Sequence, residues 1–231
     1  MVNYEEAIKK PFTDIAKLVI GIVLSIIPII SWIAKGFTIE CSGLGRNKAS
    51  KKMPEWKNWG YLFIKGFASD IIFLIYAIPA ILVFLIGAGY ALGSLASAFM
   101  GTVPPELLGE TTPGVMRDLI QQNWTLALPT LITLAPILLL GVILLCIAFY
   151  LTPIAVLNYV KTKKFSGAFD FSAVLKKAIT GKYFVAWLVV IIITGIVIAI
   201  LSFIPILGPA IAIFIMGVFS YSLYGQVYRE T

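Results

Sequence analysis

Long stretches almost free of charge alternate with short charged segments along this chain. The stretches cover roughly residues 18–34, 66–100, 125–160 and 183–228, and Asp70 is the one charged residue within them. A helix needs about 20 apolar residues to cross a hydrocarbon core about 30 Å thick. With 60% hydrophobic and 13% charged residues, the chain cannot hide its apolar surface in a soluble domain. The sequence therefore predicts an all-α, polytopic helical membrane protein.

The lengths of these stretches predict five to six membrane segments, some of them kinked or re-entrant. The last stretch holds two segments, because Pro205 and Pro209 interrupt helical hydrogen bonding and Gly208 permits a turn. The second and third stretches are each expected to cross once, with their excess length taken up by tilt, kinks or protrusion. We expect a single integral membrane domain over 1–231, with membrane stretches at about 15–34, 66–100, 125–160, 183–204 and 207–228.

The first membrane stretch has two interpretations. A single crossing at 15–34 would place the N-terminus outside the cell. Pro28 lies in the middle of this stretch, and residues 25–30 resemble residues 202–207 around the later prolines. A bent, re-entrant hairpin would instead keep the early lysines inside, and an internal repeat of this kind is common in transporters.

The loops differ in charge. Residues 35–65 carry seven basic and two acidic side chains, residues 161–182 carry six and one, and residues 101–124 carry one and three. Short loops rich in Lys and Arg remain in the cytoplasm. We therefore predict a multi-pass cell-membrane protein with both basic loops cytoplasmic and loop 101–124 extracytoplasmic. These loops explain the net charge of +7, so no nucleic-acid partner is expected.

Residues 165–180 are predicted to form an interfacial amphipathic helix. At 100° per residue, Phe171 and Leu175 lie on an apolar face, and Lys176 and Lys177 lie opposite. The lysines could recognise anionic headgroups, at about 1 kcal/mol per lysine near the surface. The alternative is a connector that simply lies where its polarity places it.

Aromatic and basic residues precede the second membrane stretch. Trp56 and Trp59 have amphipathic rings suited to the membrane interface, and Lys65 is expected to face the headgroups. The alternative to this anchor is a loop that docks a partner or ligand.

Asp70 is the only acid in a predicted membrane stretch. Such an acid is a candidate ion or proton site. Alternatively, it lies at the level of the interface, where it is solvated or paired with Lys65. Further along the same stretch, Gly89 and Gly93 lie four residues apart, a spacing that favours close helix packing within one subunit or between two.

Groups that carry catalysis are scarce. The chain has no histidine, and its two cysteines, Cys41 and Cys146, lie far apart. Without histidine the commonest general base and metal ligand are missing, so no metal site, cofactor or enzymatic activity is expected.

Residues 53–66 resemble the leucine–proline–glutamate–tryptophan signature of an uncharacterised, mostly archaeal membrane family, with Met53 in place of leucine. Residues 165–171 and 181–183 resemble the same family. The pattern is similar, more distantly, to YciC-like proteins and to the membrane domain of some glycerophosphodiester phosphodiesterases. The resemblance implies a multi-helix membrane fold in a prokaryotic cell membrane and no particular activity.

Two functional hypotheses follow. The first is a non-enzymatic membrane protein that organises lipids or partner proteins at the cytoplasmic face, with anionic lipids, a second copy or another membrane protein as partners. The second is a transporter or channel for a small solute or lipid, suggested by the proline-broken helices and Asp70.

Overall fold

The computed structural model describes residues 2–102 and 124–231, and these residues form helices and no strand. The predicted extracytoplasmic loop 101–124 lies, apart from its ends, outside these residues. In chain order the helices are α1 (Tyr4–Lys9), a 3-10 turn (Lys10–Phe12), α2 (Ile15–Ile26), α3 (Ser31–Glu40), α4 (Trp59–Thr102), α5 (Trp124–Thr162), a 3-10 segment (Phe165–Phe169), α6 (Phe171–Ala178), α7 (Gly181–Leu201) and α8 (Leu207–Glu230).

Within the described residues, four helical segments are long and apolar enough to cross a membrane: Trp59–Ser94, Ile132–Thr162, Gly181–Leu201 and Leu207–Glu230. The two long stretches each form one continuous helix, α4 and α5, as predicted. The multi-pass helical class is therefore supported, whereas the count of five to six membrane segments is not.

The last membrane stretch, 183–228, is interrupted at the predicted place, but Gly208 does not form the turn. α7 ends at Leu201 and α8 begins at Leu207. The residue with a positive φ at this break is Ile206, with φ 64°, rather than Gly208. Gly208 has another role, because a Cβ there would overlap the carbonyl oxygen of Leu201.

The chain divides into two compact units, 77–148 and the remainder. In the larger unit α8 is the central helix and packs against α1, α2, α3 and α7. Its buried side chains contribute to two apolar clusters. Phe214 and Val218 join Leu18 and Phe37 of α2 and α3, and Leu223 packs in the cluster formed with α5, α6 and α7.

The smaller unit, 77–148, holds parts of α4 and α5. Ala80 and Leu134 are buried within it. A Cβ at Gly141 would meet the ring of Phe84 at 2.7 Å, so this glycine lets the two helices approach closely.

α2 and α3 form a hairpin around Pro28. The Lys10 ammonium donates a hydrogen bond to the carbonyl oxygen of Cys41 at 2.8 Å. Lys17 forms an ion pair at 2.6 Å with Glu55, in the loop between α3 and α4. These contacts bring the start of α2 next to the end of α3. At 1.5 Å per residue, the 12 residues of α2 extend only about 18 Å, too short for a full crossing. The structure therefore has the bent hairpin, and the side of the membrane on which the N-terminus lies stays a prediction.

α3 and α4 cross at two glycines. A Cβ at Gly36 would overlap the carbonyl oxygen of Leu62, and one at Gly66 would overlap that of Trp32. Because the obstacles are backbone atoms, neither helix can yield by moving a side chain. The two glycines thus make the antiparallel contact between α3 and α4 possible.

Gly66→Ala should destabilise the protein by about 1–3 kcal/mol, because the added methyl group overpacks the crossing. Gly89→Ala is the matched control in the same helix, since a Cβ there meets nothing within 4 Å. This control should be neutral or stabilising by up to about 1 kcal/mol. Thermal unfolding in detergent, followed by circular dichroism, measures both variants. Equal unfolding temperatures for the two alanine variants would contradict the close crossing.

Candidate functional site

Two ion pairs join α3 to α4. Glu40 pairs with Lys65, and Lys35 pairs with Asp70. The partners lie five residues apart on each helix, which corresponds to about 7.5 Å along a helix axis. Because the helices are antiparallel and the spacing is equal, both pairs form at once. The acid lies on α3 in one pair and on α4 in the other.

The Glu40–Lys65 pair is buried. Glu40 is 1% exposed and Lys65 is 3% exposed. The backbone and side-chain amides of Asn47 donate to Glu40 Oε2 at 3.1 and 2.9 Å, and the Tyr61 hydroxyl donates to Oε1 at 3.2 Å. Burial raises the pKa of the Glu40 carboxyl, but the Lys65 ammonium and the Asn47 donors outweigh burial and hold this pKa below its ordinary value.

This pairing differs from two expectations. Lys65 was expected at the lipid headgroups, yet its ammonium is enclosed by protein and bound to Glu40. The alternative partner considered for Asp70 was Lys65, whereas the structure pairs Asp70 with Lys35. The reason is the crossing, which places the second charge on α4 opposite the earlier charge on α3.

The Lys35–Asp70 pair is half-exposed, with side-chain exposures of 39% and 41%. The indole nitrogen of Trp32 also donates to Asp70 Oδ2, at 2.8 Å. The pair lines a cavity of about 270 Å³ between the α2–α3 hairpin, α4 and α8. The other polar side chains that line this cavity are Ser25, Ser31, Thr38 and Tyr221.

A second, mostly apolar cavity of about 650 Å³ lies between α5, α7 and α8. Trp187, Ile198 and Met216 are among the residues that line it. The two cavities share four lining residues, Lys35, Ile213, Gly217 and Tyr221. The half-exposed ion pair therefore lies where a polar cavity adjoins an apolar one.

The segment predicted as one helix over 165–180 has two parts, the 3-10 segment and α6. α6 begins at Phe171 because Asp170 caps it, accepting a hydrogen bond from the backbone nitrogen of Ala173 at 3.1 Å. The sequence pattern located the segment, but Asp170 begins the α-helix six residues later than predicted.

Two tyrosine hydroxyls, from α4 and α5, bind the segment that contains the 3-10 turn and α6. Tyr76 donates to the carbonyl oxygen of Ala168 at 2.7 Å, and Tyr150 donates to that of Ala178 at 2.5 Å. The Asn158 side chain donates to the carbonyl oxygen of Gly167 at 2.8 Å. Since these bonds lie at both ends of the segment, its position and rotation are determined by α4 and α5.

The fixed rotation of α6 exposes an apolar stripe. Val174 and Ala178 are buried against the larger unit. Phe171, Leu175 and Ile179 are exposed, Ile179 to 78%. Lys176 is also exposed, on the polar side of this stripe.

Lys177 has a different environment from Lys176. Its ammonium donates to the carbonyl oxygen of Tyr228 at 3.0 Å and lies 4.1 Å from the centre of that ring. Burial lowers the pKa of Lys177, as do the neighbouring Lys161 and Lys176 charges. Lys177 therefore neutralises the C-terminal end of α8 instead of extending outward.

Both basic loops lie at one end of the larger unit. Next to Tyr228, the Arg229 guanidinium donates to the carbonyl oxygen of Ser42 at 2.7 Å. The C-terminal end of α8 thus contacts the loop after α3 through Arg229 and the α6 segment through Tyr228.

The two interface tryptophans are in different positions. Trp56 stacks on Phe37, with ring centroids 3.8 Å apart and planes at 15°, and its buried indole nitrogen has no hydrogen-bond partner among the described residues. Trp59 is 46% exposed. Of the two, only Trp59 presents its ring outward as an interface anchor requires.

Gly89 and Gly93 face open space, since a Cβ added at either would meet no described atom within 4 Å. Packing of these glycines within one subunit therefore has no support among the described residues. Packing between two copies stays a prediction.

Sequence reasoning missed Glu40 as a partner of Lys65. A signal was available in the spacing, because Lys35 and Glu40 are five residues apart and so are Lys65 and Asp70. A glycine follows the first charge of each set, at Gly36 and Gly66.

Residues 19–207 match the family described as "Protein of unknown function (DUF4013)". No curated protein and no solved structure matches the chain.

Lys65→Met should destabilise the protein by about 3–5 kcal/mol, because it leaves the Glu40 carboxylate buried without its partner charge. The double variant Glu40→Met with Lys65→Met should recover most of this loss, since no unpaired charge remains. Chemical unfolding in detergent measures the cycle. Additive losses in the double variant would show that the two side chains do not interact.

Proposed function

Because the chain belongs to the DUF4013 family, whose function is unknown, we propose a role from its own surface. The protein is a non-enzymatic integral membrane protein that binds and orders anionic lipids beside its basic loops. The observation that carries this proposal is the exposed apolar stripe on α6 with Lys176 next to it. No observation favours transport over this role.

The α6 surface has the two parts that an interfacial lipid site needs. Phe171, Leu175 and Ile179 provide apolar area for the acyl region, and Lys176 provides charge at the level of the headgroups. We infer that α6 acts as the predicted interfacial amphipathic helix. The hydrogen bonds from Tyr76 and Tyr150 already fix α6, so little further conformational entropy is lost when lipid binds. This favours a defined lipid arrangement.

Further lysines reinforce this surface. Lys163 and Lys164 are exposed immediately before the 3-10 segment. Each lysine near an anionic membrane surface contributes about 1 kcal/mol. A small group of such residues thus gives a preference for anionic over neutral lipid that falls as salt rises.

From the resemblance of residues 53–66 to archaeal membrane proteins, we infer a prokaryotic, archaeal cell membrane for this protein, with both basic loops in the cytoplasm. The shared position of these loops at one end of the larger unit supports a common side. Lys and Arg enrichment then assigns that side to the cytoplasm.

Both acids at the α3–α4 crossing have a basic partner, which supports a role without catalysis. Glu40 is buried against Lys65, and Asp70 is bound by Lys35 and Trp32. Self-association through Gly89 and Gly93, or docking of another membrane protein, would add a partner to this lipid-organising role.

Lys176→Gln should weaken binding of phosphatidylglycerol by about fivefold, because one lysine contributes about 1 kcal/mol. Lys177→Gln is the matched control, since its ammonium is bound to the carbonyl oxygen of Tyr228. This control should lower the unfolding temperature more than it changes lipid affinity. Native mass spectrometry of the purified protein in detergent measures both, with phosphatidylcholine as the neutral lipid. An unchanged preference for phosphatidylglycerol in Lys176→Gln would contradict the proposed surface.

A further inference from the structure

We propose that the two adjoining cavities form a binding site for one membrane phospholipid with a zwitterionic headgroup. Its headgroup lies at the Lys35–Asp70 pair, and one acyl chain fills the apolar cavity. This site is separate from the α6 surface and goes beyond the lipid-organising role proposed for that surface.

The apolar cavity has the size and lining of a ligand site. Its volume of about 650 Å³ lies within the range of about 300–1,000 Å³ that is usual for small-molecule pockets. Trp187, Ile198 and Met216 are among the side chains that line it, and they come from two membrane-spanning helices. An acyl chain is the apolar ligand that surrounds such helices in a bilayer, and its fit to this lining rests on van der Waals packing.

The polar cavity selects the headgroup by charge. Lys35 and Asp70 are both partly exposed to it, so it offers one positive and one negative group side by side. A phosphate can bind Lys35 while an ammonium binds Asp70, and neither protein charge is then left unpaired. An anionic headgroup would compete with Asp70 for Lys35 and leave the carboxylate without a counter-charge, which is costly in a partly buried site.

The shared walls connect the two parts of the ligand. Lys35 and Tyr221 line both cavities, together with Ile213 and Gly217. A headgroup at the ion pair therefore lies next to the start of the acyl chain. Ser25, Ser31 and Thr38 also line the polar cavity, and since each hydroxyl donates to a nearby backbone carbonyl, each can only accept from the headgroup ammonium.

The test uses the full chain in detergent and a readout located in the apolar cavity. Single-chain phospholipids brominated on the acyl chain quench nearby tryptophans, and Trp187 lines this cavity. The Trp187→Phe variant gives the part of the quenching that arises at the other tryptophans. The probes are brominated lysophosphatidylethanolamine, which carries phosphate and ammonium, and brominated lysophosphatidylglycerol, which carries phosphate alone.

Quenching of Trp187 should require about tenfold less of the ethanolamine probe than of the glycerol probe, as expected for one hydrogen bond to a charged group. Asp70→Asn should remove this difference between the probes. If both probes quench Trp187 of the native chain at the same concentration, the proposed headgroup is wrong.

Gly195→Phe should abolish the quenching of Trp187, because the new ring fills the cavity. Gly195 lines that cavity, and a Cβ there meets nothing within 4 Å. Gly89→Phe is the matched control, also at an open glycine but outside the cavity. If Trp187 of Gly195→Phe is quenched at the same probe concentration as in the native chain, the proposed site is wrong. If circular dichroism shows that Gly195→Phe does not fold, the comparison of the two probes in the native chain decides.

Discussion

The buried ion pair between Glu40 and Lys65 is the constraint on which the N-terminal half of the larger unit depends. Removing either partner would leave a charge buried, at a cost of several kcal/mol. The loop after α3 must therefore fold over Glu40, and Asn47 and Tyr61 supply the remaining donors. The pair can form only because glycines let α3 and α4 approach at backbone distance.

The cavity site follows from this arrangement, whereas the α6 surface is held by separate contacts at one end of the larger unit. Five residues further along α4, the same crossing aligns Asp70 with Lys35 and places a half-exposed pair where two cavities adjoin. At the end of the larger unit, Tyr228 and Arg229 of α8 contact the two basic loops. In this fold of apolar helices, the polar contacts that build the two candidate sites lie at the α3–α4 crossing and at the C-terminal end of α8.

Features set by local sequence could be predicted, and features set by long-range contacts could not. Apolar length and proline position revealed α4, α5 and the break before Leu207, because both act within a few turns of helix. The roles of Lys65 and Lys177 were missed, because their partners, Glu40 and the carbonyl of Tyr228, are 25 and 51 residues away in the chain. Helical periodicity assigns a side chain to a face, but the packing of the bundle decides whether that face meets protein or lipid.

The central claim is that the α2–α3 hairpin returns the chain to the end that carries both basic loops. Cysteines introduced singly at Glu5, Ser50 and Lys164, in a chain with Cys41 and Cys146 replaced by alanine, test it directly. A membrane-impermeant maleimide is applied to sealed right-side-out vesicles before and after permeabilisation. The account predicts that all three positions react alike, and only after permeabilisation. Reaction of position 5 from the outside, with positions 50 and 164 protected, would contradict it.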